Sequence, residues 1–237
     1  MGEMTPPPPD PPQPTAGAPA ASASRLLRFS RAERWVHRSF ALLMGVCLAS
    51  AALLYLPGLS GLVGQRDIVR LVHVVCGFAL PIPLLVGYAA SRSFRADVRR
   101  LNRFGQVDRE WLRPRNEARA ALPVGKFNAG QKLNSAFTLG ATLVMLATGA
   151  MLTFPDPFAD NVRTGAVFTH DWLALAVAVV VVGHMYKALA DEGARLGMRT
   201  GWVDVEWAER EHPGWLAQAE GGGDPGRHQP PAAATDQ

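Results

Sequence analysis

The sequence predicts an all-α protein, an integral membrane four-helix bundle with disordered N- and C-terminal tails. Three observations carry that expectation. Apolar residues make up 48% of the 237 positions, yet mean hydropathy is close to zero, because the apolar residues are gathered into four runs in the middle of the chain. Lys and Arg sit asymmetrically about those runs, and Pro, Ala and Gly dominate both ends.

Residues 1–24 are rich in Pro, Ala and Ser and lack a basic segment leading directly into an apolar core and a small-residue cleavage site. They are expected to be a disordered tail rather than a signal peptide. The bundle domain then occupies 25–216, with spans at about 35–56, 68–90, 133–154 and 170–190. A helix rising about 1.5 Å per residue needs roughly 20 apolar residues to cross the hydrocarbon layer, and each run approaches that length. The first stops at Leu56-Pro57-Gly58 and the third before Pro155-Asp156-Pro157, both natural helix ends. Pro81 and Pro83 are expected to kink the second span without ending it, since neighbouring helices can re-satisfy the freed backbone groups. From 217 onward a Gly-, Pro- and Ala-rich segment is again read as a disordered tail. The runs are continuous rather than alternating, which excludes a β-barrel.

Of the 24 basic residues, 5 fall in 25–38, 11 in 92–132 and 5 from 187 onward, leaving only Arg66, Arg70 and Arg163 at the other ends of the spans. By the positive-inside rule both termini and the 92–132 loop are cytoplasmic, and the short loops 57–67 and 155–169 face outward. The net charge of +4 therefore serves orientation and contact with membrane lipid. No recognisable nucleic-acid module surrounds the basic residues, so nucleic acid is not an expected partner. Trp111, Trp202, Trp207 and Trp215 read as interfacial anchors or packing residues. Cys47 and Cys76 each lie inside an apolar run without C-x-x-C-H or zinc-ligand spacing, which leaves disulfide scaffolds, structural zinc and covalently attached haem unsupported.

Four of the six histidines, His37, His73, His170 and His184, fall within or at the ends of three spans. An ionisable group in a bilayer is costly and needs a partner. Hydrogen bonding inside the bundle is one explanation for any single histidine. His170 and His184, however, are 14 positions apart, which leaves them roughly 40° from a common helix face and about 21 Å apart along the axis. The topology sets His37 level with His184 on the cytoplasmic side and His73 level with His170 on the outer side. Each pair can hold a haem iron from both axial positions. Gly77, one turn from His73, and Gly183, beside His184, suit the close approach of a flat macrocycle, although small residues also serve ordinary helix packing in membranes. Zinc is the weaker alternative, and a haem-free transporter using its histidines for protons is a third.

Several segments, taken in order, resemble the membrane gamma subunit of respiratory formate dehydrogenases, within the bacterial cytochrome b561-like family. They are Arg28-Phe29-Ser30 with Glu33-Arg34-Trp35-Val36-His37, Arg70-Leu71-Val72-His73 with Gly77, and Lys126-Phe127-Asn128-Ala129-Gly130-Gln131-Lys132-Leu133-Asn134. Thr169-His170-Asp171, Gly183-His184-Met185-Tyr186, Gly197-Met198-Arg199-Thr200-Gly201-Trp202-Val203-Asp204, Trp207-Ala208 and His212-Pro213-Gly214-Trp215 complete the set. The resemblance implies two b haems, ligated by His37 with His184 and by His73 with His170. It also implies a quinone site, expected to take menaquinone, shaped by Asn128, Gly130 and Gln131 near the inner haem. Without the resemblance, Asn128 would be read as the cap of the third span.

The implied partners are an iron-sulfur beta subunit at the outer face and a molybdopterin-containing alpha subunit. This chain would be the quinone-reducing part of that enzyme and would not oxidise formate alone. A cytochrome b subunit of a hydrogenase or thiosulfate reductase, or a b561-type oxidoreductase, is the nearest alternative. The chain departs from the family pattern at Glu211-His212, where paired histidines are usual, and at His37-Arg38, where histidine-tryptophan is usual.

Overall fold

The computed structural model describes residues 24–61, 64–113, 117–221 and 228–229. The strand Arg25–Leu27 (β1) leads into helix α1, Arg31–Tyr55, through a capping box. Ser30 Oγ accepts the Glu33 N–H at 3.3 Å and the Glu33 carboxylate accepts the Ser30 N–H at 2.7 Å, so two backbone donors at the helix start are satisfied. After one turn of helix, Pro57–Ser60 (α2), the second span runs as α3, Arg66–Ala79, and α4, Pro81–Ala90. The expected kink lies between them at Leu80, where Pro81 and Pro83 withhold backbone donors.

The 92–132 segment, expected as a loop, is largely helical: α5, Arg92–Leu101, α6, Gln106–Leu112, and a 3-10 turn, Glu117–Ala121. Local and long-range polar contacts fix it. Ser91 Oγ accepts the Phe94 N–H at 3.2 Å to start α5. Buried Asp97 then holds Lys126, and buried Asp108 holds Lys132 at 2.7 Å.

The third span is α7, Ala129–Thr153, and the fourth is α8, Asp160–Ala190. The fourth helix thus begins ten residues before the expected 170, and most of the outward loop expected at 155–169 is helical. Hydropathy marks the part of a helix that crosses hydrocarbon, whereas nothing in 160–169 breaks the polar turns that precede it. Asp160 suits the positive end of the helix dipole, and Arg163 pairs with it at 2.8 Å. These four helical segments are each long and apolar enough to cross a membrane. α1 packs along α3 and α4, and α7 along α8. A Cβ at Gly87 would lie 2.3 Å from Val36 Cγ2, so glycine there permits the close crossing of α4 and α1. Leu42, Leu71, Leu85, Leu143 and Val182 point away from the protein. Such a continuous apolar exterior matches lipid rather than water.

A cap closes the end of the bundle where α1 and α7 begin and α4 and α8 end. It comprises α9, Glu192–Thr200, β2, Trp202–Asp204, α10, Val205–Glu211, and α11, Pro213–Gly221. β2 pairs antiparallel with β1, setting Leu26 opposite Val203, and His228–Gln229 (β3) pairs with the other edge of β1. Leu26 and Val203 are fully buried and join Trp207, Trp215, Leu216 and Ala219 in the cap core. Trp207 and Trp215 are therefore packing residues.

Gly201 ends α9 in the left-handed conformation, φ 97°, and a Cβ there would strike the Phe29 carbonyl at 2.6 Å. Its own carbonyl accepts the Arg28 and Phe29 N–H groups at 2.8 and 3.0 Å. Arg34 and Arg38 of α1 donate to the Arg199 carbonyl at 2.7 and 3.0 Å, satisfying the end of α9. α11 carries order past the expected boundary at 217, because Leu216 and Ala219 share the face it buries. The rest of the tails expected at 1–24 and 217–237 falls, apart from Ser24 and β3, outside the described residues.

His212 locks the cap to the chain ahead of α7. It is 2% exposed, with Nδ1 2.7 Å from the Gly125 carbonyl and Nε2 2.9 Å from an Arg28 nitrogen. A carbonyl only accepts, so Nδ1 carries the hydrogen and Nε2 accepts from Arg28. Burial, then the Arg28 charge, pushes the imidazole down to about 4. Burial likewise lowers the Arg28 guanidinium to about 10.

A depressed folded value means that the neutral form is favoured in the native state, so His212 contributes its full stability above its ordinary value near 6.5. That contribution is lost as pH falls from there toward 4, and amounts to about 3 kcal/mol. Amide exchange in α10 and α11 should therefore accelerate between pH 6.5 and 4, and His212→Asn should remove most of that dependence. Equal protection at pH 4.5 and 7 in the unsubstituted protein would contradict the burial of a neutral imidazole.

Candidate functional site

The bundle brings the four histidines together as two couples. His73, seven residues into α3, faces His170, ten residues into α8, with ring centroids 6.3 Å apart and planes at 66°. His37, near the start of α1, faces His184, near the end of α8, also at 6.3 Å and with planes at 53°. The first couple lies at the end of the bundle with the short connections, and the second lies beside the cap.

The repeated spacing is informative. An imidazole nitrogen lies about 1.1 Å from its ring centre and binds a first-row metal at about 2 Å, so two axial imidazoles on one ion hold their centroids roughly 6.3 Å apart. Rings in direct stacking contact could approach more closely. Both couples thus leave room for an iron; Phe29 with Phe127 and Phe78 with Phe154 show the same 6.3 Å, so it is the imidazole nitrogens at that spacing, not the spacing itself, that suit a metal.

The surroundings of the His73–His170 couple fit such a group. A cavity of about 280 Å³ opens among α1, α3, α7 and α8, with His73 and His170 in its walls and an apolar lining that includes Met44, Leu48, Phe78 and Leu146. Arg70, one turn before His73, is the single charged side chain lining it, and a guanidinium there suits an acidic substituent on a bound macrocycle. The helix backbone also leaves room. Gly149 of α7 lies beside the His170 ring, where a Cβ would make an ordinary contact with Cε1 at 3.4 Å. A Cβ at Gly77 or Gly183 would meet nothing within 4 Å. Gly77 lines the cavity, so its open side is room inside the bundle, whereas Gly183 is exposed and shares its openness with Gly45 and Gly140.

The imidazole nitrogens of the His73–His170 couple are held from behind. His73 Nδ1 is 2.9 Å from Ser50 Oγ and 3.2 Å from the Cys47 carbonyl, and His170 Nδ1 is 2.9 Å from Thr148 Oγ1. With Nδ1 so engaged, Nε2 is the atom of each ring that would hold a metal. Ser50, Thr148 and Gly149 were not singled out by sequence reasoning, and Arg70 entered it only as an outward basic residue and in the Arg70-Leu71-Val72-His73 segment. The available signal was faint: Ser50 is a buried hydroxyl in apolar α1 and Thr148 is one of two in α7, beside Thr142, and their partners become apparent only once the helices are packed.

The segment at the start of α7 has a clear structural role. Asn128 Oδ1 accepts the Gln131 N–H at 2.9 Å and Gln131 Oε1 accepts the Asn128 N–H at 3.0 Å, a reciprocal cap on the third span. The capping alternative raised by the sequence is therefore realised. The cap uses both side-chain oxygens, and the two amide NH2 groups take no part in it. A Cβ at Gly130 would lie 3.2 Å from Trp111 Cη2, so this glycine lets α6 pack closely on α7.

Just ahead of the cap, Lys126 is buried between Asp97 and Glu33, with Glu33 Oε2 at 3.7 Å. Burial pushes its ammonium below the usual lysine range, although both carboxylates oppose that shift. Glu33 lies one turn before His37, so this charged cluster stands next to the His37–His184 couple.

Comparison with known proteins agrees with the geometry. The cytochrome b556(fdo) subunit of formate dehydrogenase from Escherichia coli (strain K12) is 32% identical over 97 residues, 40% of this chain and 46% of the relative. The nitrate-inducible cytochrome b556(Fdn) subunit from the same strain is 32% identical over 108 residues, 44% of this chain and 49% of the relative. The chain thus spans about half the length of these two relatives. The formate dehydrogenase cytochrome b556 subunit of Haemophilus influenzae is 24% identical over 207 residues, 82% of this chain and 84% of the relative. Residues 28–201, which contain both histidine couples and all four membrane-spanning helices, match the prokaryotic cytochrome b561 family. On the strength of that match the chain belongs to the prokaryotic cytochrome b561 family, a multi-pass membrane cytochrome of the b type.

Proposed function

We propose that this chain is the membrane cytochrome b subunit of a respiratory formate dehydrogenase, passing electrons across a bacterial inner membrane to quinone. The observation that carries the proposal is the pair of facing imidazole couples, each with centroids 6.3 Å apart, at opposite ends of one bundle. Support for the enzyme comes from the three relatives, all named as formate dehydrogenase subunits.

Haem b bound between each couple supplies reversible one-electron transfer at iron. His73 and His170 would hold one haem near the outer face, where an iron-sulfur subunit, itself fed by a molybdopterin subunit, delivers electrons. His37 and His184 would hold the other beside the cytoplasmic cap. Asn128 and Gln131 would offer their free amide N–H groups to a quinone carbonyl, with menaquinone the expected acceptor, and Gly130 would keep Trp111 against that site. Two electrons reduce the quinone as two protons are taken from the cytoplasmic side. Each charge moved inward across 100 mV corresponds to about 2.3 kcal/mol, so the reaction helps to maintain the membrane potential. Basic residues gathered at the cap end support cytoplasmic termini.

The native complex, isolated through this chain, should carry two b haems per chain and reduce a menaquinone analogue with formate. A properly folded chain without b-type absorption would remove the proposal. The quinone residues have a sharper test, because Asn128→Ser keeps a good helix cap and deletes only the amide donor. Quinone turnover should fall about tenfold in Asn128→Ser and at least as far in Asn128→Ala, with both haems retained. Normal turnover in Asn128→Ser would leave Asn128 with the cap alone.

A further inference from the structure

Two buried hydroxyls face the outer histidines, and the hydrogen of each is already committed. Ser50 Oγ of α1 donates to carbonyls one turn back, with Val46 at 2.7 Å and Cys47 at 3.1 Å. Thr148 Oγ1 of α7 does the same, with Val144 at 2.8 Å and Met145 at 3.3 Å. Each oxygen also stands 2.9 Å from an imidazole Nδ1, Ser50 from His73 and Thr148 from His170. A hydroxyl has one hydrogen, so at both contacts the oxygen accepts and Nδ1 donates. The Cys47 carbonyl, 3.2 Å from His73 Nδ1, demands the same tautomer because it has no hydrogen to give. Two helices thus present the same device to the two imidazoles of one couple. Among the described residues, the His37 and His184 rings make no such hydrogen bond.

We infer that Ser50 and Thr148 are positioning residues that fix the Nδ1–H tautomer of His73 and His170 and lower the potential of the haem they hold. The inference rests on the two-haem proposal above. A donated Nδ1–H leaves the Nε2 lone pair free for iron and fixes the direction of the ring. It also makes the imidazole a stronger electron donor, which stabilises ferric over ferrous iron. With the device at one couple only, the two haems are set at different potentials by this chain's own hydroxyls.

The test is an optical redox titration of the intact complex carrying Ser50→Ala or Thr148→Val, the latter keeping the shape of threonine without its oxygen. In each variant the same one of two b components should titrate higher, its ferric preference falling about tenfold, equal to about 59 mV for one electron. The other component should stay in place, and haem content should remain at two per chain. Ser50→Thr and Thr148→Ser, which restore a hydroxyl, should return the potential to its original value. A purely structural role would not follow the hydroxyl in this way. Unchanged potentials with both haems bound, or shifts in different components for the two positions, would overturn the inference. An unsubstituted complex with fewer than two b components would instead overturn the two-haem proposal, and the inference with it.

Discussion

In His184→Ala the complex is expected to retain one b haem of two and to lose formate-driven quinone reduction by more than about 100-fold. A b haem has no covalent bond to the chain, so iron ligation and the surrounding cavity hold it. Disturbing a group that merely supports a metal-bound histidine costs about 10–100-fold in affinity or activity, and deleting the ligand itself must exceed that. The remaining couple, His73 and His170, stands about 21 Å along α8 from position 184, so its cavity is untouched. Haem content and redox titration should therefore show one intact component.

His37→Ala should remove the same component as His184→Ala, and His73→Ala the same component as His170→Ala. Matching phenotypes within each couple test the pairing seen in the ring geometry. Different components lost within one couple would mean that the facing imidazoles do not share an iron. His212→Asn provides the control, since that histidine is buried in the cap with Arg28 and Gly125 and should leave both haems in place.

The four spans and both couples were legible in the sequence because hydropathy and helical periodicity are local properties. A histidine in an apolar run stands out wherever its partner lies, and counting helix turns from His170 to His184 sufficed to set two depths. The start of α8 at Asp160 was not legible, since a polar helix extension beyond the hydrocarbon reads like a loop. Ser50 and Thr148 stayed hidden for a different reason. In their own helices they look like ordinary residues bonding back one turn, and their significance depends on α3 and α8 being packed against them.

The basic residues were undervalued for a related cause. Charge counting assigned them to orientation and lipid contact, whereas Arg28, Arg34, Arg38, Lys126 and Lys132 each also hold a specific partner in the fold. Nothing local distinguishes Lys126, which is 8% exposed, from Arg25 at the surface, where the ion pair to Asp204 is open to solvent.

Lys126 is accordingly the position outside the histidines where one substitution should cost most. Its ammonium pairs with Asp97 and Glu33 and lies 5.0 Å from the Phe29 ring and 5.6 Å from the Phe127 ring. Its carbonyl accepts from Arg28 at 3.1 Å, so the same residue joins α1, α5 and the cap. Lys126→Met fits the volume but leaves the buried Glu33 carboxylate without its cation and buried Asp97 with only the half-exposed Arg100. Breaking a buried pair on one side costs about 3–5 kcal/mol, more than the pair itself contributes, because the remaining charge has neither water nor a partner. Asp97→Asn alone should also destabilise, since Lys126 and Arg100, at 2.7 Å, lose a counter-charge.

The double variant should nevertheless lie at least about 1 kcal/mol above the sum of the two losses, because removing both ends of a buried pair relieves the uncompensated charge. Thermal unfolding of the detergent-solubilised complex, followed by cap tryptophan fluorescence, measures all three variants on one scale. A loss below about 1 kcal/mol for Lys126→Met, or strict additivity in the double variant, would mean that water reaches this cluster and that the cap is anchored by its apolar core alone.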